Sequence, residues 1–161
     1  MDEMIEKLVL KLERSKNDVQ AFFESIDEKN WGRIVYQTDS SDPWQIQDIF
    51  SHLIISEESF LVLFNQMCAG REIIQNTINI DQFNAEHQKQ FDSISKEEVI
   101  NRFLVGRQNM IQFVMKISQK ELSIIGDHPA LGISKLEDMI KLIPIHDQMH
   151  MKDIKKFLTS E

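Results

Sequence analysis

The chain reads as an all-α protein, a four-helix bundle with crossover loops and a short extra helix near residues 81–91. Three observations predict this. Apolar residues recur at spacings of three, four and seven in four separate long stretches. Only 5 glycines and 3 prolines occur in 161 residues, which leaves little material for turns and favours few, long elements. The segments between the four stretches are long enough to cross an end of a bundle. The length is that of one domain with a core of its own, so residues 1–161 are expected to form a single unit.

The first helix is expected over residues 3–26, where Leu8, Leu12, Val19, Phe22, Phe23 and Ile26 share a face among charged residues. A long connection follows through Gly32 and Pro43. It carries Trp31 and Tyr36, which read more simply as aromatic plugs at the end of a bundle than as the lining of a pocket. The second helix is expected from Asp42 as cap, with Pro43 at its first position and Gln45 completing a capping box, to about Cys68, with Gly70 as the stop. Phe83, His87 and Phe91 then recur four apart, which predicts the short helix from Asp81; His87 lies among Glu and Gln residues and reads as solvated. Ser95 and Glu98 form the capping box of a third helix that reaches about Ser118. A loop with one helical turn is expected through "KELSIIGDHPALGIS", in which His128 is a hydrogen-bonded anchor. Ser134 and Glu137 then cap a fourth helix carrying Leu136, Met139, Ile140, Ile143, His146, His150, Ile154 and Phe157. Pro144 removes a backbone donor inside it and predicts a kink or a restart.

His146 and His150 stand one helical turn apart and project from one face, so they can converge on one ion. His52 lies inward among apolar neighbours on the second helix and is the candidate for a third ligand. Three neutral imidazoles would leave a divalent ion its full charge and open positions for water or a thiol, as catalytic sites require. Asp48, one turn before His52, and Asp153, three residues after His150, are candidates for orienting the rings; Asp48, Glu57 and Tyr36 are candidates for moving protons. A pair four apart also arises by chance in a chain with five histidines, and the alternative is a set of hydrogen-bonded core residues. Zinc, nickel, manganese and iron all suit such ligands.

The net charge of -8 and the confinement of Lys152, Lys155 and Lys156 to the last turns of the final helix predict no nucleic-acid partner. The longest apolar run, "FLVLF", is far too short to cross a bilayer, so no membrane partner is expected. The lone Cys68 has no surroundings that mark it as activated. With the acidic start "MDEMIEK", it points to a reducing cytoplasm.

"WQIQDIFSHLIISEESF", "DHPALGISKLEDMIKLI" and the terminal "HDQMHMKDI" together resemble the DinB-like superfamily, which includes YfiT-like metal-dependent hydrolases and bacterial thiol transferases. The resemblance follows most of the chain in element order, and the histidine pair with an upstream helical histidine is its most specific part. It implies a bundle of up-down-down-up topology, often dimeric, with a divalent metal on His52, His146 and His150; it implies no DNA binding, and a structural role for "HPALG". The function expected is metal-dependent activation of a thiol for transfer to an electrophile, or of water for hydrolysis, on a small-molecule substrate. The alternative is a non-catalytic metal-binding or stress-related interaction protein of the same fold.

Overall fold

The structure is a computed structural model and describes residues 2–37, 39, 42–71 and 79–160. Parts of the two connections read above, at positions 38, 40–41 and 72–78, lie outside the described residues.

Four long helices carry the fold: α1 (Glu3–Ser25), α3 (Ile46–Cys68), α5 (Lys96–Lys116) and α6 (Leu136–Thr159). Asp2 caps α1 by accepting from the Met4 N–H at 2.9 Å. Ser95 and Glu98 form the expected reciprocal box on α5, with Ser95 N–H donating to Glu98 Oε2 at 2.9 Å. The second helix starts later than its sequence suggests. Trp44–Gln45 (β2) pairs antiparallel with Ile34–Tyr36 (β1), the Ile46 N–H donates to the Arg33 carbonyl, and Gln45 with Asp48 makes the capping box in place of Asp42 with Gln45. The backbone donors around Pro43 are thus drawn into a small hairpin. The four-residue helix α2 (Glu28–Trp31) precedes it, and Trp31 is buried in the core as an end plug.

α4 (Ile80–His87) is the short extra helix, capped by Asn79. Between α5 and α6, one 3-10 turn (Glu121–Ser123) leads into a second hairpin, β3 (Ile125–His128) with β4 (Gly132–Lys135), where a loop was expected. Ser134 is therefore spent on pairing with Gly126, and α6 begins at Leu136 without a side-chain cap. α6 runs unbroken through Pro144, with no restart. Ile143 and Asp147 on either side of the proline are both buried and hold the flanking turns in place.

α1 packs against α5 and α6, and α3 packs against the same two helices, so the order around the bundle is α1–α5–α3–α6. One apolar cluster joins the end of α1 (Val19, Phe23) to the starts of α3 (Ile49, Phe50) and α5 (Val99, Phe103) and the end of α6 (Ile154). The other joins the start of α1 (Ile5, Leu8, Leu12) to the ends of α3 and α5 and the start of α6 (Met139, Ile140). The directions are therefore up, down, down, up. Between the two clusters lies a polar layer with one residue from each long helix: Ser15, Glu57, Arg107 and Asp147, all buried. Arg107 donates to Glu57 at 2.6 and 2.9 Å and to Asp147 at 2.7 Å, and Ser15 donates to Asp147 at 2.7 Å. These two carboxylates hold the guanidinium charged, outweighing its burial.

Candidate metal centre

The antiparallel run of α3 against α6 brings His52 opposite His146 and His150. His146 Nε2 lies 3.0 Å from His52 Nε2 and 3.1 Å from His150 Nε2, and one nitrogen of each ring lies within 4.8 Å of the others. Among the described residues this is the one group of three or more ligating side chains so close together.

Tautomers follow from the neighbours. Tyr36 Oη is 2.5 Å from Asp153 Oδ2 and 3.3 Å from His150 Nδ1. The carboxylate can only accept, so the phenol hydrogen goes to Asp153, and the phenol oxygen accepts from His150 Nδ1–H. His150 Nε2 is then bare and faces the other two rings. His52 Nδ1 sits 3.3 Å from Ser56 Oγ, one turn along α3, which suits a second ring with its Nε2 free. Two ring nitrogens held about 2.1 Å from one ion stand about 3.0 Å apart at a right angle and about 3.4 Å apart at the tetrahedral angle. The observed spacings fit ligands at adjacent corners of one coordination sphere, and bare nitrogens this close repel unless a cation or proton lies between them.

The surroundings keep the rings uncharged. Burial, then the repulsion a protonated His146 or His150 would exert, lower His52 to about 3, against a hydrogen bond with Asn84. Burial and then His146 lower His150 to about 4, against Asp153. Burial lowers His146, with Asp147 opposing. Burial, then the hydrogen bond to Asp153 and its charge, raise the Tyr36 phenol, which stays protonated at neutral pH.

The orienting groups differ in part from those expected. Asp153 reaches His150 through Tyr36, which the β1–β2 hairpin swings over the end of α6; no helical spacing signals this contact. Asp48 does not reach His52. Its Oδ2 accepts from the Gln45 N–H and from Lys89, and its Oδ1 is buried without a partner, so the capping box claims the side chain. Ser56 stands where Asp48 was expected. Glu57 is locked to Arg107 in the polar layer and faces no reacting group. His87 is only partly solvated: it is half-buried against Phe83, its ring centroid 4.3 Å away, and donates from Nδ1 to the Phe83 carbonyl at 2.8 Å. With Trp44, Ile55, Phe83 and Asn84 it lines a crevice beside His52 with room for about one water. His128 anchors its turn as expected, accepting at Nδ1 from Ala130 and Leu131. Burial, and then Glu121, raise the Cys68 thiol, the opposite of activation. A larger groove of about 730 Å³ between α3 and α5 includes Leu61, Val62 and Val105 and is lined by none of the histidines.

Residues 11–154 match the DinB superfamily. None of the curated protein sequences matches the chain. Among solved structures the chain is similar to YfiT from Bacillus subtilis, described as a probable metal-dependent hydrolase with an unusual four-helix bundle topology, at 14% identity and a TM-score of 0.77 over 97% of this chain and 86% of that one. It is similar to the colibactin self-resistance protein ClbS in complex with dsDNA, at 14% identity and a TM-score of 0.75 over 98% and 96%. It is also similar to a mycothiol-dependent maleylpyruvate isomerase, at 11% identity and a TM-score of 0.75, covering 95% of this chain and 63% of that one. At these identities the likeness is one of fold. The ClbS complex overturns the exclusion of nucleic acid: a protein of this fold is seen on duplex DNA. A net charge of -8 is a sum over the whole surface, whereas binding phosphates needs only a local patch, so composition does not rule that partner out. Among the described residues, no helix is long and apolar enough to cross a membrane.

Proposed function

We propose that this chain, which belongs to the DinB superfamily, is a divalent-metal-dependent enzyme that holds its ion on His52, His146 and His150. It activates either a small thiol for transfer to an electrophile or water for hydrolysis, and thiol transfer is the reading we prefer. The observation that carries the proposal is the convergence of the Nε2 atoms at 3.0 and 3.1 Å, one of them bare by its hydrogen bonding. Support for the two reactions comes from proteins of the same fold, one described as a probable metal-dependent hydrolase and one as a mycothiol-dependent isomerase.

A divalent ion held by neutral ligands lowers the pKa of a thiol or a water toward neutrality, which makes a nucleophile available at physiological pH. The chain's own residues prepare the place. His150 is fixed in tautomer and direction by Tyr36, itself fixed by Asp153. Trp44 meets the His52 ring edge-on at 5.7 Å and, with Ile55 and Phe83, builds an apolar wall that restricts water beside the ring. Zinc, nickel, manganese and iron all accept imidazole ligands, and the donor set does not select among them.

Metal content by mass spectrometry on natively purified protein tests the reading, beside His52→Ala, His146→Ala and His150→Ala. The expected result is near-stoichiometric divalent metal in the wild type, lost in each variant while helical content persists. A wild type without metal, whose resistance to unfolding is unmoved by zinc, nickel or manganese, would sink it. Loaded protein is then assayed with small thiols and electrophiles, and separately for hydrolysis.

A further inference from the structure

We propose that His128 is an oxygen-recognition residue of the three-histidine site, its buried Nε2–H donating to a carbonyl or carboxylate oxygen of the small molecule that reacts there. The inference rests on the reading that His52, His146 and His150 hold an ion. His128 closes β3 and is 1% exposed. Its Nδ1 accepts two backbone N–H groups, from Ala130 at 3.0 Å and from Leu131 at 3.1 Å, so the proton of the neutral ring is on Nε2. That Nε2–H is buried and has no hydrogen-bond partner. A turn anchor needs only the Nδ1 edge; an orphaned donor carries the full desolvation cost of the group and calls for another role.

Position supplies the role. The ring lies against Phe60, with centroids 4.5 Å apart and planes at 31°, about two helical turns beyond His52 on α3. The hairpin that carries it packs on α6. With the Nδ1 edge turned to Ala130 and Leu131, the Nε2 edge faces away from the turn. Burial, then the repulsion a protonated His146 would exert, lower the ring to about 4, against Asp127, so it stays neutral at physiological pH. A neutral N–H binds oxygen without placing a second positive charge beside an ion. Sulfur is a weak acceptor, so the oxygen belongs to the electrophile or ester-like substrate rather than to the thiol.

The test uses the cobalt-loaded protein with acetate as probe, read by the cobalt visible absorption, and the variants H128N and H128Q. Asparagine keeps an acceptor for the turn and removes the Nε2 donor, whereas glutamine places an N–H near the Nε2 position. Acetate affinity is expected to fall about tenfold in H128N and to recover in part in H128Q, with cobalt affinity and thermal midpoint close to wild type in H128N. Long-range proton–nitrogen spectra of the wild type should show His128 protonated at Nε2 and shifted by acetate. Cobalt uptake with equal acetate affinity in H128N, or no acetate shift at His128, overturns the inference alone. No cobalt uptake by the wild type overturns the metal reading and this one with it.

Discussion

Tyr36 draws its weight from one hydroxyl placed between a ring nitrogen and a carboxylate. Tyr36→Phe removes the acceptor for His150 Nδ1–H and the link to Asp153. It is expected to weaken divalent metal binding about 10- to 100-fold with little change in helical content, as measured by competition against a chromophoric chelator. Unchanged affinity would show that His150 is oriented by other means. The lowered histidines also make metal-free stability pH-dependent. His52 titrates near 3, and His128 and His150 near 4, in the folded state, against about 6.5 unfolded, so the unfolded chain takes up protons first. Their contribution is complete above about pH 6.5 and is lost as the pH falls toward 4. Thermal melts of metal-free protein should lose on the order of a few kcal/mol across that window, and His52→Ala should flatten the slope. The three histidines were legible because each lies on a helix whose apolar pattern fixes its face. The contact of Tyr36 with His150 was not, because tertiary folding of a hairpin makes it. Asp48 misled because spacing assigns a face and not a partner, and the helix start competed for the same carboxylate.

The start of α5 was read from its capping box, and the bounds of α1 from its apolar periodicity. The two hairpins were hidden by their length: strands of two to four residues show too little alternation to stand out beside long helical periods. Gly132 takes φ +68 where the second hairpin turns, and Gly126 lies where a Cβ would meet Met67 Sδ at 2.6 Å. Gly126 thus lets β3 sit directly on α3. Gly126→Ala is expected to cost about 1–3 kcal/mol in urea unfolding through overpacking, and adding Met67→Ala to it should recover part of that loss. Simple additivity of the two changes would show that the contact is not what Gly126 serves. Pro144 was expected to kink or restart α6, yet the helix continues through it, and burial on both sides outweighs one missing backbone hydrogen bond.

At the scale of the whole molecule, the polar layer of Ser15, Glu57, Arg107 and Asp147 links all four long helices through buried hydrogen bonds. Arg107→Met leaves two carboxylates buried without their cation and is expected to cost about 3–5 kcal/mol by urea unfolding. Replacing all four residues with apolar ones of similar volume should recover most of that loss, and failure to recover would show that the layer does more than satisfy its own charges. This layer escaped sequence reading because one Arg on a helix face looks like any solvated Arg until three other helices surround it. Net charge misled at the same scale: it described the whole surface and was applied to one kind of partner.

The up-down-down-up course has a kinetic consequence. Consecutive long helices α1 and α3, and α5 and α6, lie diagonally across the bundle, while α3 and α5 run parallel, so no two long helices can zip together as a local antiparallel hairpin. The contacts between long helices close large loops of chain before they are rewarded, which places this bundle among the slower-folding helical proteins, with a refolding limb well below that of an up-down-up-down bundle of equal stability.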